Sequence, residues 1–304
     1  MSRLQSFIQF FFFGNYFYGT CAVALTIEAT LQQRFPINEI IYFIVLFIAS
    51  VIYYTKAYQS ETSNIHPVNL RSEWYGKHKK FIKISQCLML ALLIFWSANF
   101  LFHYWKALWA MPVYQLILLG VFPMAGSLYY GIDSNSTGGI NLRDIGWIKP
   151  FVIGFTWAGL VNIYPILYYC IVHQQNHHFA VTDVLLFIKN FMFISVLCIL
   201  FDIKDYASDA NMQLKTFVVR VGLRKTIFWI IIPLVLIGFA SFILFALSHQ
   251  FSAIKILLNT LPFLLLLFVS YSLKRRRSIL FYLILIDGLM LIKAICGSIA
   301  MLYG

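Results

Sequence analysis

A succession of apolar runs, each long enough to cross a lipid bilayer and separated from the next by a short polar segment, constrains this chain more than any other feature. A helix needs about 20 consecutive apolar residues to cross roughly 30 Å of hydrocarbon. The runs predict spans near 7–31, 38–57, 81–101, 107–130, 148–172, 180–203, 226–247, 253–273 and 279–303. Within each run the apolar residues are continuous rather than alternating, which selects helices over a barrel. The expected fold is all-α: a polytopic membrane helical bundle of about nine transmembrane helices, forming one domain over residues 1–304. Composition agrees, with 61% of residues hydrophobic and 11% charged, against about 45–50% apolar and about 25% charged in soluble domains.

The net charge of +12 is a topology signal rather than a nucleic-acid footprint. With the N-terminus inside, the inner segments hold Arg3, then Lys56, Arg71, Lys77, Lys79 and Lys80, then Arg143 and Lys149. They continue with Lys204, Lys215, Arg220, Arg224 and Lys225, and finally the run Lys274 to Arg277. The outer segments hold only Arg34, Lys106 and Lys255. That bias follows the positive-inside rule. It places the chain as a multi-pass protein of the cell's inner (cytoplasmic) membrane, N-in and C-out, with its long polar loops in the cytoplasm, membrane lipids as neighbours and no nucleic-acid partner. The first apolar run exceeds the 7–15 residues of a signal-peptide core and is read as a span. All five cysteines lie in predicted spans without a C-x-x-C pair, so they read as packing residues.

The acids are sparser and more informative. Three of the eleven carboxylates, Asp202, Asp205 and Asp209, fall at the inner end of the sixth span. Offsets of 3, 4 and 7 residues put them on one helical face, within about 60° of arc. Like charges on one stripe repel, and a bound cation relieves that repulsion; a solvated helix end is the plainer explanation. Oxygen ligands of this kind suit Mg²⁺, which uses one or two carboxylates and takes its remaining ligands from water and phosphate. The segment that follows supplies Lys215, Arg220, Arg224 and Lys225, cations able to bind phosphate oxygens directly. Together these point to a diphosphate at a membrane surface, as in an isoprenoid diphosphate.

The stretch Asp202-x-x-Asp205-x-x-x-Asp209, followed by Lys215-Thr216-Phe217-Val218-Val219 and Gly222, resembles the second aspartate motif of the UbiA superfamily of intramembrane prenyltransferases and the K-T-x-P-V-x-x-G segment after it. The resemblance covers the whole chain as architecture but only these few residues as motif. It departs from the family at Gln213 and Val218. It departs more deeply at the family's first motif, N-x-x-x-D-x-x-x-D, where this chain offers Thr55, Gln59 and Ser63. The resemblance implies transfer of a prenyl group from a prenyl diphosphate to a small lipophilic acceptor, an aromatic or quinone precursor. Asp202, Asp205 and Asp209 would be catalytic and hold Mg²⁺, and Lys56, Arg71, Lys149, Lys204, Lys215 and Arg220 would hold the diphosphate. Two other functions remain open: a non-catalytic homologue that binds a prenyl or quinone-like lipid, and a small-molecule transporter.

Glu28, Lys189, Asp287 and Lys293 are charged residues inside predicted spans. There a charge costs at least about 2.5–3.5 kcal/mol and marks a cavity or a partner. Lys189 is therefore expected to face the bundle interior. Asp287 and Lys293 are six residues apart and lean to opposite faces, so they do not pair with each other.

Overall fold

The computed structural model of the protein describes residues 3–62, 70–130, 146–211, 216–273 and 282–303, with the backbone alone at 3–5, 57, 59–62, 130, 204–205, 207–211 and 282–283. All regular structure among the described residues is helical: α1 (Arg3–Phe13), α2 (Tyr16–Gln32), α3 (Ile40–Thr62), α4 (Leu70–Lys77), α5 (Lys79–Trp109), α6 (Val113–Tyr130), α7 (Lys149–His173), α8 (Val181–Asn211), α9 (Phe217–Val221), α10 (Leu223–Ser248), α11 (Ala253–Ser272) and α12 (Gly288–Tyr303). Six helices are long and apolar enough to cross a membrane, and the α1–α2 pair adds a seventh if it is one broken span. Shorter apolar stretches, Ile40–Lys56 and Val113–Tyr129, lie in α3 and α6. This is the architecture of an integral membrane helical bundle. Its rim is apolar: in α5 only Ile82 is buried, while Leu88, Ile94, Phe95 and Phe102 point outward, as lipid contact requires.

The first apolar run, expected as one continuous span, is instead two helices meeting at 64°. The reason is local. Asn15 adopts φ +64°, a left-handed conformation that Asn tolerates better than most residues. Beside it, a Cβ on Gly14 would lie 2.6 Å from the Phe10 carbonyl oxygen and 2.7 Å from the Tyr16 ring, so only glycine fits the turn. The Asn15 side chain then becomes a latch. Its Nδ2 donates to Thr55 Oγ1 and Tyr75 Oη at 3.0 Å each, and its Oδ1 accepts Arg71 Nη2 at 2.6 Å. One buried amide thus ties the α1–α2 bend to α3 and α4. Trp74 of α4 packs edge-on against Phe10 and Phe13 of α1.

This end of the bundle, marked by α4, also receives the start of α7 and the last turns of α8, joined through Lys149 and Asp202. At the far end Arg34 donates to the His249 carbonyl at 2.9 Å and Tyr114 to the His177 carbonyl at 2.8 Å. Two interior segments are wound as π-helix, Gly159–Ile163 in α7 and Thr226–Ile231 in α10. Each is followed two residues later by a proline, Pro165 or Pro233. A proline cannot donate to the carbonyl four residues before it and crowds it, and a wider turn accommodates that freed carbonyl. A third π segment, Tyr282–Ile286, precedes α12, and no proline follows it.

Buried charge holds the middle of the bundle. Glu28 of α2, fully buried, accepts Lys189 Nζ from α8 at 2.9 Å on one oxygen and Lys293 Nζ from α12 on the other. Lys189 also donates to Gln32 Oε1 at 2.8 Å, and Gln32 Nε2 donates to Asn259 of α11 at 2.7 Å. Lys189 faces the interior, as expected. Gly297 admits the carboxylate, because a Cβ there would lie 2.5 Å from Glu28 Cγ. The Glu28→Gln variant leaves two buried ammonium groups without an anion, and it should destabilise the protein by roughly 3–5 kcal/mol. Replacing Glu28, Lys189 and Lys293 together by apolar residues should recover most of that loss. Thermal unfolding in nanodiscs measures both; a single variant as stable as wild type would show that the cluster does not hold the helices.

Candidate functional site

The α4 end of the bundle concentrates the polar side chains that packing alone does not explain. Arg71 sits at its mouth, held by Asn15 and lying over the Tyr58 ring at 4.1 Å. Tyr58 Oη lies 3.0 Å from Ser72 Oγ. Tyr75 completes the latch; burial pushes its phenol pKa upward against the opposing pull of Arg71, so it serves as a neutral hydrogen-bonding group. The α4 segment is thereby pinned over the ends of α2 and α3.

Beneath it lies an aromatic wall. The Tyr18 and Tyr54 rings stack with centroids 4.4 Å apart and planes within 9°. Trp157 Nε1 of α7 donates to Tyr54 Oη, and Tyr18 Oη donates to Asp287 Oδ2 at 2.7 Å. Lys149 Nζ approaches Asp202 Oδ1 to 3.5 Å. Asp202 is 2% exposed, whereas the Lys149 side chain is a third exposed, so the lysine reaches inward from the polar rim to a carboxylate that α8 buries. The Lys149–Asp202 pair and the Tyr18–Asp287 hydrogen bond thus accompany one aromatic group, Tyr18, Tyr54 and Trp157, whose rings contact one another in turn.

Of the residues expected to form the site, Asp202 and Lys149 meet each other, and Arg71 belongs to the Asn15 latch. Lys56 and Arg220 are exposed, on α3 and α9. Asp205, Asp209 and Lys204 continue the α8 helix, and their side chains lie outside the described residues, as does Lys215 altogether. Among the described residues no three His, Cys, Asp or Glu side chains gather as a metal centre. The hard carboxylate oxygens of Asp202 are of the kind Mg²⁺ prefers, and this one already faces a cation. At the far end, Asp183 caps the Ala180 amide at 2.8 Å and meets His177 at 3.4 Å, a loop closure rather than a ligand set.

Sequence reasoning marked Asp287 only as an intramembrane charge and could not choose among the many aromatics. What distinguishes Tyr18, Tyr54 and Trp157 is their contact with one another and with Asp287, which sequence spacing does not reveal. No family model, curated protein or solved structure matches the chain.

The Lys149–Asp202 contact is testable by itself. In a double-mutant cycle with Lys149→Met and Asp202→Asn, the coupling energy should be about 1–3 kcal/mol, because one partner is buried. Asp202→Asn should be the milder single change, since its amide carries no charge into the interior. Additive effects of the two substitutions would show that the contact carries no energy.

Proposed function

We propose that the chain is an intramembrane prenyltransferase of the UbiA type, crossing the membrane nine times with its N-terminus and the α4 end in the cytoplasm. The observation that carries this reading is the Lys149–Asp202 pair, a buried carboxylate facing a cation at the end of an apolar bundle that also holds the stacked aromatics Tyr18 and Tyr54. It is supported by the aspartate stripe of α8 with the K-T segment after it, and by the basic loops that share that end. A prenyl diphosphate has two parts of opposite character, and this arrangement offers a place for each. The chain lies among apolar side chains. The diphosphate lies where Lys149, Arg71 and the basic residues of the 204–225 segment neutralise its charge.

In the reaction, the bond between the prenyl C1 and the diphosphate oxygen breaks, and its electron pair leaves with the diphosphate. Cations fixed beside that oxygen stabilise the developing charge more than the ground state, which is what lowers the barrier. The allylic cation left behind is favoured by aromatic faces, each worth roughly 0.5–2 kcal/mol. Tyr18, Tyr54 and Trp157 provide such faces. An electron-rich acceptor then attacks C1. Mg²⁺ held by Asp202, Asp205 and Asp209 would supply further positive charge to the leaving group when bound.

A transporter is the second reading, favoured by the 64° break between α1 and α2 and by the intramembrane charges of the Glu28 cluster. Broken helices of this kind recur at transport sites. A lipid-binding protein without turnover is the third.

The assay that separates them uses purified protein in nanodiscs with Mg²⁺, prenyl diphosphates of several lengths and phenolic acceptors, read by mass spectrometry. Prenylated acceptor should appear with wild type, and Asp205→Asn or Asp209→Asn should abolish it without lowering the melting temperature, because removing like charges relieves repulsion. Mg²⁺ and a prenyl diphosphate together should raise the melting temperature of wild type by mass action. No product and no thermal shift with any diphosphate would overturn the prenyltransferase reading.

Orientation is checked separately. Single cysteines placed at Ser63 and Ser208 in a cysteine-free background should stay unlabelled by an impermeant thiol reagent on intact cells, and react once the membrane is opened. Labelling of either from outside reverses the topology.

A further inference from the structure

An open groove of about 570 Å³ lies on the flank of the bundle, lined by Arg224, Lys225, Phe228 and Trp229 at the start of α10. Ligand sites commonly measure about 300–1,000 Å³. All four side chains are exposed, Trp229 at 78%. Thr226 and Ile227, between them, are buried, so the four make the outward face of these turns. Thr226 Oγ1 donates to the Gly222 carbonyl at 2.9 Å. Gly222 itself adopts φ +81°, ψ 161°, a conformation essentially confined to glycine. The corner it makes joins α9 to α10. Buried Val218 and the edge-on contact of Phe217 with Phe151 of α7 anchor α9 against the bundle. The groove is thus carried on a fixed corner at the α4 end.

Local structure gives its two cations no partner. Among the described residues no carboxylate pairs with Arg224 or Lys225. Both stand in the first turn of α10, where the helix dipole disfavours positive charge. The positive-inside bias accounts for cations at this end, but not for their place one turn before two exposed aromatics. Depth orders these groups. Leu223–Ser248 has 26 residues, about 39 Å at 1.5 Å per residue, against about 30 Å of hydrocarbon. The first turn therefore reaches the headgroup layer. Phe228 and Trp229, one turn further in, lie at the boundary with the acyl chains, the depth at which Trp is enriched.

We propose that this groove binds one anionic phospholipid of the adjoining leaflet, its phosphate held by Arg224 and Lys225 and the start of an acyl chain laid against Phe228 and Trp229. Cations outside and aromatics inside repeat the order of a phospholipid, with phosphate above hydrocarbon. Arg224 offers the phosphate oxygens a planar fork and Lys225 a compact ammonium. The occupant is anionic rather than zwitterionic because the two cations leave the groove positive. A choline headgroup would bring a third cation, whereas a phosphatidylglycerol headgroup neutralises the groove without adding one. Of the basic 204–225 segment, these two residues therefore face lipid rather than the Lys149–Asp202 pair. The inference uses only the membrane bundle and holds whether or not the chain transfers prenyl groups.

The test uses the full-length protein in liposomes of equal parts phosphatidylglycerol and phosphatidylcholine with matched acyl chains. One lipid at a time carries a diazirine near the carboxyl end of an acyl chain, and the crosslinked peptides are mapped by mass spectrometry. In wild type, phosphatidylglycerol should label the 223–231 segment about 5- to 30-fold more than phosphatidylcholine, as for one to two cations near an anionic surface. Arg224→Gln with Lys225→Gln should bring that ratio close to one. So should about 1 M salt, where the screening length falls to about 3 Å. Trp229→Ala should weaken labelling by both lipids and keep the ratio. Lys79→Gln with Lys80→Gln removes the same charge from exposed positions of α5 at this end and should leave the ratio unchanged. A ratio near one in wild type overturns the proposal. An equal fall in the Lys79 and Lys80 variant also overturns it, because net charge rather than the groove would then draw the lipid. Loss of the crosslink on adding farnesyl diphosphate, with pyrophosphate alone as a second arm, would assign the cations to a diphosphate and overturn it as well. The substituted side chains are all exposed, so the variants should fold; if the Arg224 and Lys225 variant does not, the salt series on wild type reads the same preference.

Discussion

One buried carboxylate, Glu28, joins three helices, α2, α8 and α12, whose interfaces are otherwise largely apolar. In a bilayer apolar contacts give little net preference for one packing over another, because lipid tails are as apolar as the side chains they replace. Polar groups buried at mid-depth change that, since each must find its partner or leave a charge in hydrocarbon. Lys189 and Lys293 reach Glu28 from α8 and α12, and Gln32 carries the same network to Asn259 on α11. The requirement that both ammonium groups share one carboxylate sets the rotation of α2, α8 and α12 about their axes. With those rotations set, α2 presents Tyr18 and α12 presents Asp287 to each other nearer the α4 end.

The consequence is a division of labour along α2. Its end near Gln32 belongs to the ion cluster, its beginning to the Asn15 latch, and Tyr18 lies between them. The latch fixes α4 over the start of α2, and α4 in turn holds Arg71 against Asn15 and the Tyr58 ring. The same residues that fix the fold thus fix the spacing between the basic rim and the aromatic wall. These contacts are built on helices, which hold side chains in place more precisely than loops do.

The helices themselves were legible in the sequence because the bilayer imposes their length and forbids unpaired backbone within it. The interior position of Lys189 was legible for the same reason, since exposure to lipid is expensive. Its partner was not: Glu28 lies 161 residues away, and nothing in local spacing links them. The break at Gly14–Asn15 was hidden in a run that stays apolar on both sides, although a glycine followed by a left-handed-tolerant asparagine is the one pair in that run able to turn the chain. Of the aspartate stripe, the described side chains include only Asp202, buried and paired with Lys149. The contact of Asp287 with Tyr18 was not legible, because it depends on the start of α12 arriving beside α2, and Lys293 faces elsewhere.

The absent first aspartate motif bears on what kind of site this is. In the resembling family two acidic motifs face each other across the leaving group, whereas here the segment around Thr55 and Gln59 brings no pair of acids. Thr55 itself is buried and hydrogen-bonded to Asn15, so this position belongs to the latch. A second buried carboxylate, Asp287, comes from the opposite end of the chain, just before α12, and accepts the Tyr18 hydroxyl. Under the proposed function, Lys149 and Arg71 would supply positive charge that a second metal otherwise brings. The net charge of +12 in so apolar a chain therefore has a local use at this end of the bundle in addition to setting topology.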